Sequence, residues 1–366
     1  MDWKRGGQLA MRTMSALEAS PFVLEYMGVR PAFNGPARSS GFGSAVLGRV
    51  TLGNDAILGP FAVLRGDGHA VEVGDNLYLG LHSTVHIAHE LYSAKLGARV
   101  TIGSNSVVHA CTVGDDCVIE ENVAVLDGAI VGKGCAVAAG SVVFPRSVLP
   151  PGQWCEGSPA VPMRPLASVE LHELHKRVRA DGLIGSSKAI ERVANSVAIS
   201  GGDHGYVAAT VTGSGTLRMG ESSSLWFGCV LESGALGVTI ASGANVQDNT
   251  VLRSEEHLVR VGEGSTIGHN VLLHDCIVGA RVLVGMGSTL APGTVVMDDT
   301  FVAAGSCTAP GQVLKSGWLW GGRPARAMSR MNDRMHQVIQ VSAEIYREYA
   351  AEFAANQEAV LRGADR

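Results

Sequence analysis

The chain has 366 residues, 17% of them charged and 5% aromatic, with 47 glycines and a formal net charge of −5. That length allows two cores, and the acidic balance excludes a face that binds polyanions, which needs Lys and Arg gathered on one surface; no nucleic acid partner is expected. No run of about 18 apolar residues occurs, and the N-terminal stretch MDWKRGGQLAMRTMSALEASPF holds no apolar core of a leader, so no membrane partner is expected and the chain reads as cytoplasmic.

From residue 52 onward aliphatic residues return every six positions: Leu52, Leu58 and Leu64, then Val73, Leu79 and Val85, then Val113, Ile119, Val125, Val131, Val137 and Val143. A period of six is neither the 3.6 of a helix nor the alternation of a single long strand. It suits a coil of short parallel strands, each followed by a turn, with one aliphatic side chain pointing inward at every step. GSPAVPMRPL (157–166) closes this coil, and Leu171, Leu174 and Val178 then give a helical stripe. LIGSSKAIERVANSVAISGG, from residue 183, breaks the beat and reads as a linker with a short helix, so the expected domains are 1–183 and 184–366. The beat resumes at Ile240, Val246 and Leu252 and again from Val278 through Val284, Leu290 and Val296 to Val302. GGRPARAMSR (321–330) closes the second coil, and a helix with Met335, Ile339 and Ile345 on its inner stripe follows. Residues 100–134 match 265–299, so the halves are copies.

Seven cysteines, Cys111, Cys117, Cys135, Cys155, Cys229, Cys276 and Cys307, lack any CxxC spacing and read as reduced core thiols. None has a base beside it in sequence to make it a nucleophile. HELHK (172–176) lacks the second histidine of a metalloprotease helix. His69 and His82 read as surface turns.

The polar residues that interrupt the coils carry a resemblance. VLRGD (63–67), TVHIA (84–88) and IGSNSVVH (102–109) in the first half, with ANVQDNTVLR (244–253) and IGHNVLLH (267–274) in the second, resemble the γ-class carbonic anhydrases and their relatives. The resemblance implies an all-β dominated chain of two left-handed parallel β-helix domains built from hexapeptide repeats, each followed by an α-helix. Neither half is complete. The first keeps His86 and His109 but has Gly80 for a glutamine and Ser104 for the middle histidine; the second keeps Asn245, Gln247, Asp248, His269 and His274 but has Arg253 at the first histidine position and VLESG (230–234) for VLRGD.

In that family a zinc ion lies between neighbouring prisms, with two histidines from one edge and one from the next. By the spacing, His86 and His109 share one edge of their domain, and Gln247 and His269 share the opposite edge of theirs. The resemblance then implies one Zn2+ per chain held by His86, His109 and His269 with an open fourth position, which brings a bound water to a pKa of about 7. Gln247 would hydrogen-bond the hydroxide, and Arg65 and Asp67 would order the junction. The reverse pairing of Ser104 with Arg253 and His274 puts a cation where the metal belongs. The insertion after His86 offers Glu90 and His89 as proton-transfer groups or as a solvated loop tip. The implied reaction is attack of zinc hydroxide on CO2 or a small-molecule carbonyl, with Arg253, Tyr78 and Glu232 as candidates to recognise a larger, anionic substrate. A homo-oligomer is expected, although two unlike domains cannot alternate round a ring of three. Two other readings stand beside this one: a metal-independent hexapeptide acyltransferase using acyl-CoA, and a noncatalytic assembly subunit.

Overall fold

The computed structural model describes residues 20–35, 39–194, 199–201 and 205–364. Residues 1–19, where a leader was sought, and residues 195–198 and 202 of the expected linker lie outside that set. Two compact units divide between Ala194 and Asn195.

The first unit is a three-faced coil of parallel strands. One face stacks Ala45–Leu52, Val63–Val73, Thr84–His86, Val107–His109, Ala124–Val125 and Val142–Val143. The far halves of the two long strands turn the corner onto a second face and continue through Ala94–Leu96, Thr112–Val113, Ile130–Val131 and Val148–Leu149. The third face runs from Ser39–Ser40 through Ile57–Leu58, Tyr78–Leu79, Thr101–Ile102, Val118–Ile119 and Ala136–Val137 to Gln153–Gly157. The six-residue beat is the reason: Val85, Val108, Val125 and Val143 stack in register and are all 0% exposed inside the coil. The chain turns at one corner through Asn105 (φ 57°), Asn122 (φ 58°) and Gly140 (φ 72°), residue types that tolerate the left-handed region.

The second unit repeats this plan, with the long strand Thr212–Met219 bending between Val230–Ser233 on one face and Val238–Ile240 on the next. Each coil closes with an antiparallel hairpin, Gln153–Gly157 with Ala160–Pro165 and Trp318–Gly321 with Arg326–Arg330. A guanidinium covers the tryptophan in both, Arg164 over Trp154 at 5.4 Å and Arg330 over Trp318 at 4.2 Å.

A helix follows each hairpin: α1, Ser168–Ala194, and α2, Asp333–Ala364. Leu174 and Val178 of α1 pack on Val118 and Ala136 of the third face. The helix does not stop near residue 183 for a linker but runs unbroken to Ala194. Lys188, Ala189, Glu191 and Arg192 favour helix, and an internal glycine costs only about 1 kcal/mol. On α2 the buried stripe is Ile339, Ala343, Tyr346, Tyr349, Ala350 and Phe353, with Met335 and Ile345 at its margins. No helix among the described residues is long and apolar enough to cross a membrane.

Candidate metal centre

Stacking the coils of the first unit brings Arg65, His86 and His109 to the end of one face on consecutive turns. His109 pairs with His86 in the ladder, and their rings lie 5.2 Å apart at 60°. Asp67 binds two of these groups: Oδ2 is 2.5 Å from Arg65 Nη1, and Oδ1 is 2.8 Å from His86 Nε2. Arg49 donates to the Asp67 carbonyl at 2.9 Å. Arg65 and Asp67 are both 0% exposed, a burial that charged groups tolerate only when paired. His109 Nδ1 lies 2.6 Å from Asp127 Oδ1. A carboxylate on one ring nitrogen fixes the tautomer and orientation of an imidazole, the usual support behind a metal-ligating histidine.

In the second unit His269, also 0% exposed, has Nδ1 3.0 Å from Asp248 Oδ2. Asp248 Oδ1 accepts the Phe227 backbone N–H at 3.1 Å, so the strand turn anchors the carboxylate that faces the imidazole. Gln247, 7% exposed, donates from Nε2 to Asn245 Oδ1 at 3.3 Å, and Asn245 donates to Thr266 Oγ1 at 2.9 Å. The three polar residues of the N-x-Q-D segment therefore form an ordered patch beside His269.

Sequence reasoning missed the support that α2 supplies. The Tyr346 hydroxyl lies 3.5 Å from His269 Nε2, and its ring meets Trp226 edge-on at 5.1 Å. Trp226, itself 0% exposed, contacts Tyr206, Phe227, Tyr349 and Phe353 and donates to Ser224 Oγ at 2.8 Å. The signal was present: a Trp-Phe pair inside a small-residue coil, and Tyr346, Tyr349 and Phe353 at helical spacing in a chain poor in aromatics.

The substituted positions have other work. Gly80 stands where the second unit has Gln247, and a Cβ there would fall 2.8 Å from the Ser104 backbone nitrogen, so that edge of the first unit is packed shut. In the second unit Glu232, Arg253 and His274 occupy the register of Arg65, His86 and His109. Arg253 Nε donates to Glu232 Oε2 at 2.6 Å, and His274 Nε2 lies 3.2 Å from Glu255 Oε2. An ion-pair row thus replaces the histidine pair. Tyr78 is not a substrate contact: it is 4% exposed under α1, with its hydroxyl donating to the Arg179 carbonyl at 3.3 Å.

Of the remaining candidates, Glu90 is exposed on the turn closed by the Ala88–Tyr92 bridge, with His89 beside it at φ 43°. His69 Nδ1 accepts the Ala70 N–H at 2.8 Å, and His82 stacks on Phe61 at 4.6 Å. His175 of HELHK lies 2.7 Å from Thr101 Oγ1 and secures α1.

The coil, its aliphatic registers and these carboxylate-oriented histidines define a hexapeptide-repeat protein. Residues 110–145 match the family described as bacterial transferase hexapeptide (six repeats). Gamma carbonic anhydrase 1, mitochondrial, of Arabidopsis thaliana is 36% identical over 157 residues, which span 41% of this chain and 57% of that protein. Protein YrdA of Escherichia coli (strain K12) is 32% identical over 147 residues, which span 38% of this chain and 80% of that protein. A solved hexapeptide transferase family protein from Anaplasma phagocytophilum is similar at 33% identity over 42% of this chain and 92% of that one, with a TM-score of 0.39. The chain spans little more than half the length of the plant γ carbonic anhydrases that it matches. It belongs to the γ-carbonic-anhydrase-like hexapeptide-repeat family.

Proposed function

We propose that the chain is a zinc-dependent γ-carbonic-anhydrase-like enzyme with one active site shared by its unlike halves, His86 and His109 serving from the first and His269 from the second. The reading rests above all on complementary retention. The half that lost Gln and the middle His keeps a buried, carboxylate-oriented pair, His86 with Asp67 and His109 with Asp127. The half that filled that pair's position with Arg253 keeps Gln247, Asp248 and a fully buried His269. Imidazoles oriented by carboxylates are a donor set that suits zinc.

Zinc, when bound, supplies Lewis acidity that brings a water's pKa to about 7. Asp67, braced by Arg65, fixes the His86 ring. Gln247, oriented by Asn245, positions the attacking oxygen against CO2 or a small carbonyl substrate. Glu90 or His89, on the turn after His86, passes the released proton to solvent. The protein works as a homo-oligomer in the cytoplasm, a compartment that suits seven cysteines of which none is disulfide-bonded.

The test is elemental analysis of protein from metal-replete growth, together with CO2 hydration assays. The proposal expects about one zinc per chain, with metal and activity both lost in His86→Ala and in His269→Ala. Less than about 0.3 zinc per chain would end it. Acyl-CoA binding by the metal-free protein would favour an acyltransferase instead.

A further inference from the structure

We infer that the second unit carries a binding site for a small organic carboxylate, between α2 and a corner of the coil, with Arg347 as its anchor. A cavity of about 290 Å³ lies there, bounded by Gly264, Arg281 and Asp299 of the coil and floored by Ile339 and Ala343 of the helix. The first unit shows what fills the same place. In the register that matches 100–134 with 265–299, Arg99 stands for Gly264 and Asp116 for Arg281, while Leu171, Val178 and Gly182 of α1 stand for His336, Ala343 and Arg347. Arg99 there grips Asp116 with Nε at 2.5 Å and Nη2 at 3.0 Å, and Val178 is buried against the coil. In the second unit the ion pair sits one turn further along, Arg281 on Asp299 at 2.7 and 2.8 Å. The corner so vacated is Gly264, where an added Cβ would meet nothing within 4 Å. Two smaller residues, Gly264 and Ala343, open the space. Two polar ones, His336 and Arg347, line it.

The charges name the ligand. Arg281 is bidentate on Asp299, so those two charges cancel. Arg347 has no hydrogen-bond or ion-pair partner among the described residues. Its Nη1 lies against Gly243, 3.1 Å from where a Cβ would stand, so a second corner glycine gives the guanidinium room. The lining is left with one uncompensated positive charge, which matches a monoanion better than a phosphate dianion. The planar fork of a guanidinium fits the two oxygens of a carboxylate. Ile339 and Ala343, 3% and 4% exposed, offer the apolar surface that receives the rest of the molecule. An apolar cavity of about 150 Å³ already holds benzene, so this one accommodates an aromatic or branched acid. All of these residues belong to the second unit, and the site does not depend on the proposed zinc centre.

Ligand-observed NMR titration of the metal-replete full chain with benzoate tests the inference. The wild type is expected to bind benzoate saturably, and to bind benzamide, its uncharged counterpart, about tenfold more weakly or worse. Arg347→Gln removes the charged donor from an exposed position and should weaken benzoate about tenfold or more, with zinc per chain unchanged. Gly264→Asp sets a carboxylate on the cavity wall, at a φ of 61° that aspartate tolerates, and should weaken it as much. Wild-type protein with no saturable binding at a Kd of about 10 mM or tighter would overturn the inference. So would benzamide bound as tightly as benzoate, a folded Arg347→Gln or Gly264→Asp that binds like the wild type, or a loss of benzoate that only follows a loss of zinc.

Discussion

Asp67 shows how much of this centre depends on single side chains. It holds Arg65 and His86 at once, with all three side chains buried. Asp67→Asn keeps the shape and removes the carboxylate charge that pairs with the buried Arg65 guanidinium, and should cost about 3–5 kcal/mol in denaturant unfolding. Zinc affinity should fall about 10–100-fold, because His86 loses the group that orients it. Gly80 makes the converse point. Gly80→Gln restores the family residue in name, but its Cβ would press on the Ser104 nitrogen at 2.8 Å. Unfolding should show a loss of about 1–3 kcal/mol, with no second zinc gained. His86, His109, Gln247 and His269 were singled out in the sequence through the motifs TVHIA, IGSNSVVH, ANVQDNTVLR and IGHNVLLH that carry the family resemblance. Asp127 and Tyr346 were not, since one lies on the next turn of the coil and the other on a helix 77 residues from the histidine that it approaches.

At the scale of elements, the two trailing helices dock by different chemistry. On α1, Arg179 Nε donates to Thr101 Oγ1 at 3.0 Å, and His175 Nδ1 lies 2.7 Å from the same hydroxyl. Burial, aided by Arg179, holds His175 down to about 4 from an ordinary 6.5, so the hydroxyl donates to a neutral ring. An undocked or unfolded His175 binds protons below pH 6.5 while the docked one does so only near pH 4. Stability of this unit should therefore be complete above pH 6.5 and fall as pH is lowered from there towards 4. Thermal melts should show that slope in the wild type and a flatter one in His175→Gln. On α2 the docking surface is aromatic, with Phe353 0% exposed and 5.7 Å from both Trp226 and Phe227. Phe353→Ala should cost about 3–5 kcal/mol, read as a lowered denaturation midpoint. The existence of both helices was legible from their stripes. The unbroken length of α1 was not, because the glycines and serines after residue 181 look like punctuation when the first turns of a docked helix are unseen.

At the scale of the molecule, duplication allowed each half to lose what the other kept. A coil with an aliphatic residue every six positions folds whether or not its polar corners retain chemistry, so loss at Ser104 or Arg253 leaves the core intact. The cysteines follow the same logic. Burial pushes Cys117 and Cys276 each up to about 12, and only Cys307 of the seven is not buried. A thiol reagent should modify about one cysteine per native chain and all seven after denaturation. The central claim is that one metal draws imidazoles from both halves. X-ray absorption at the zinc edge of the metal-replete full chain tests this most directly. The account predicts three histidine nitrogens at about 2.0–2.1 Å and an oxygen in the wild type, with one nitrogen fewer in His269→Ala. A first shell that His269→Ala leaves unchanged, or one built from sulfur or carboxylate oxygen, would contradict it.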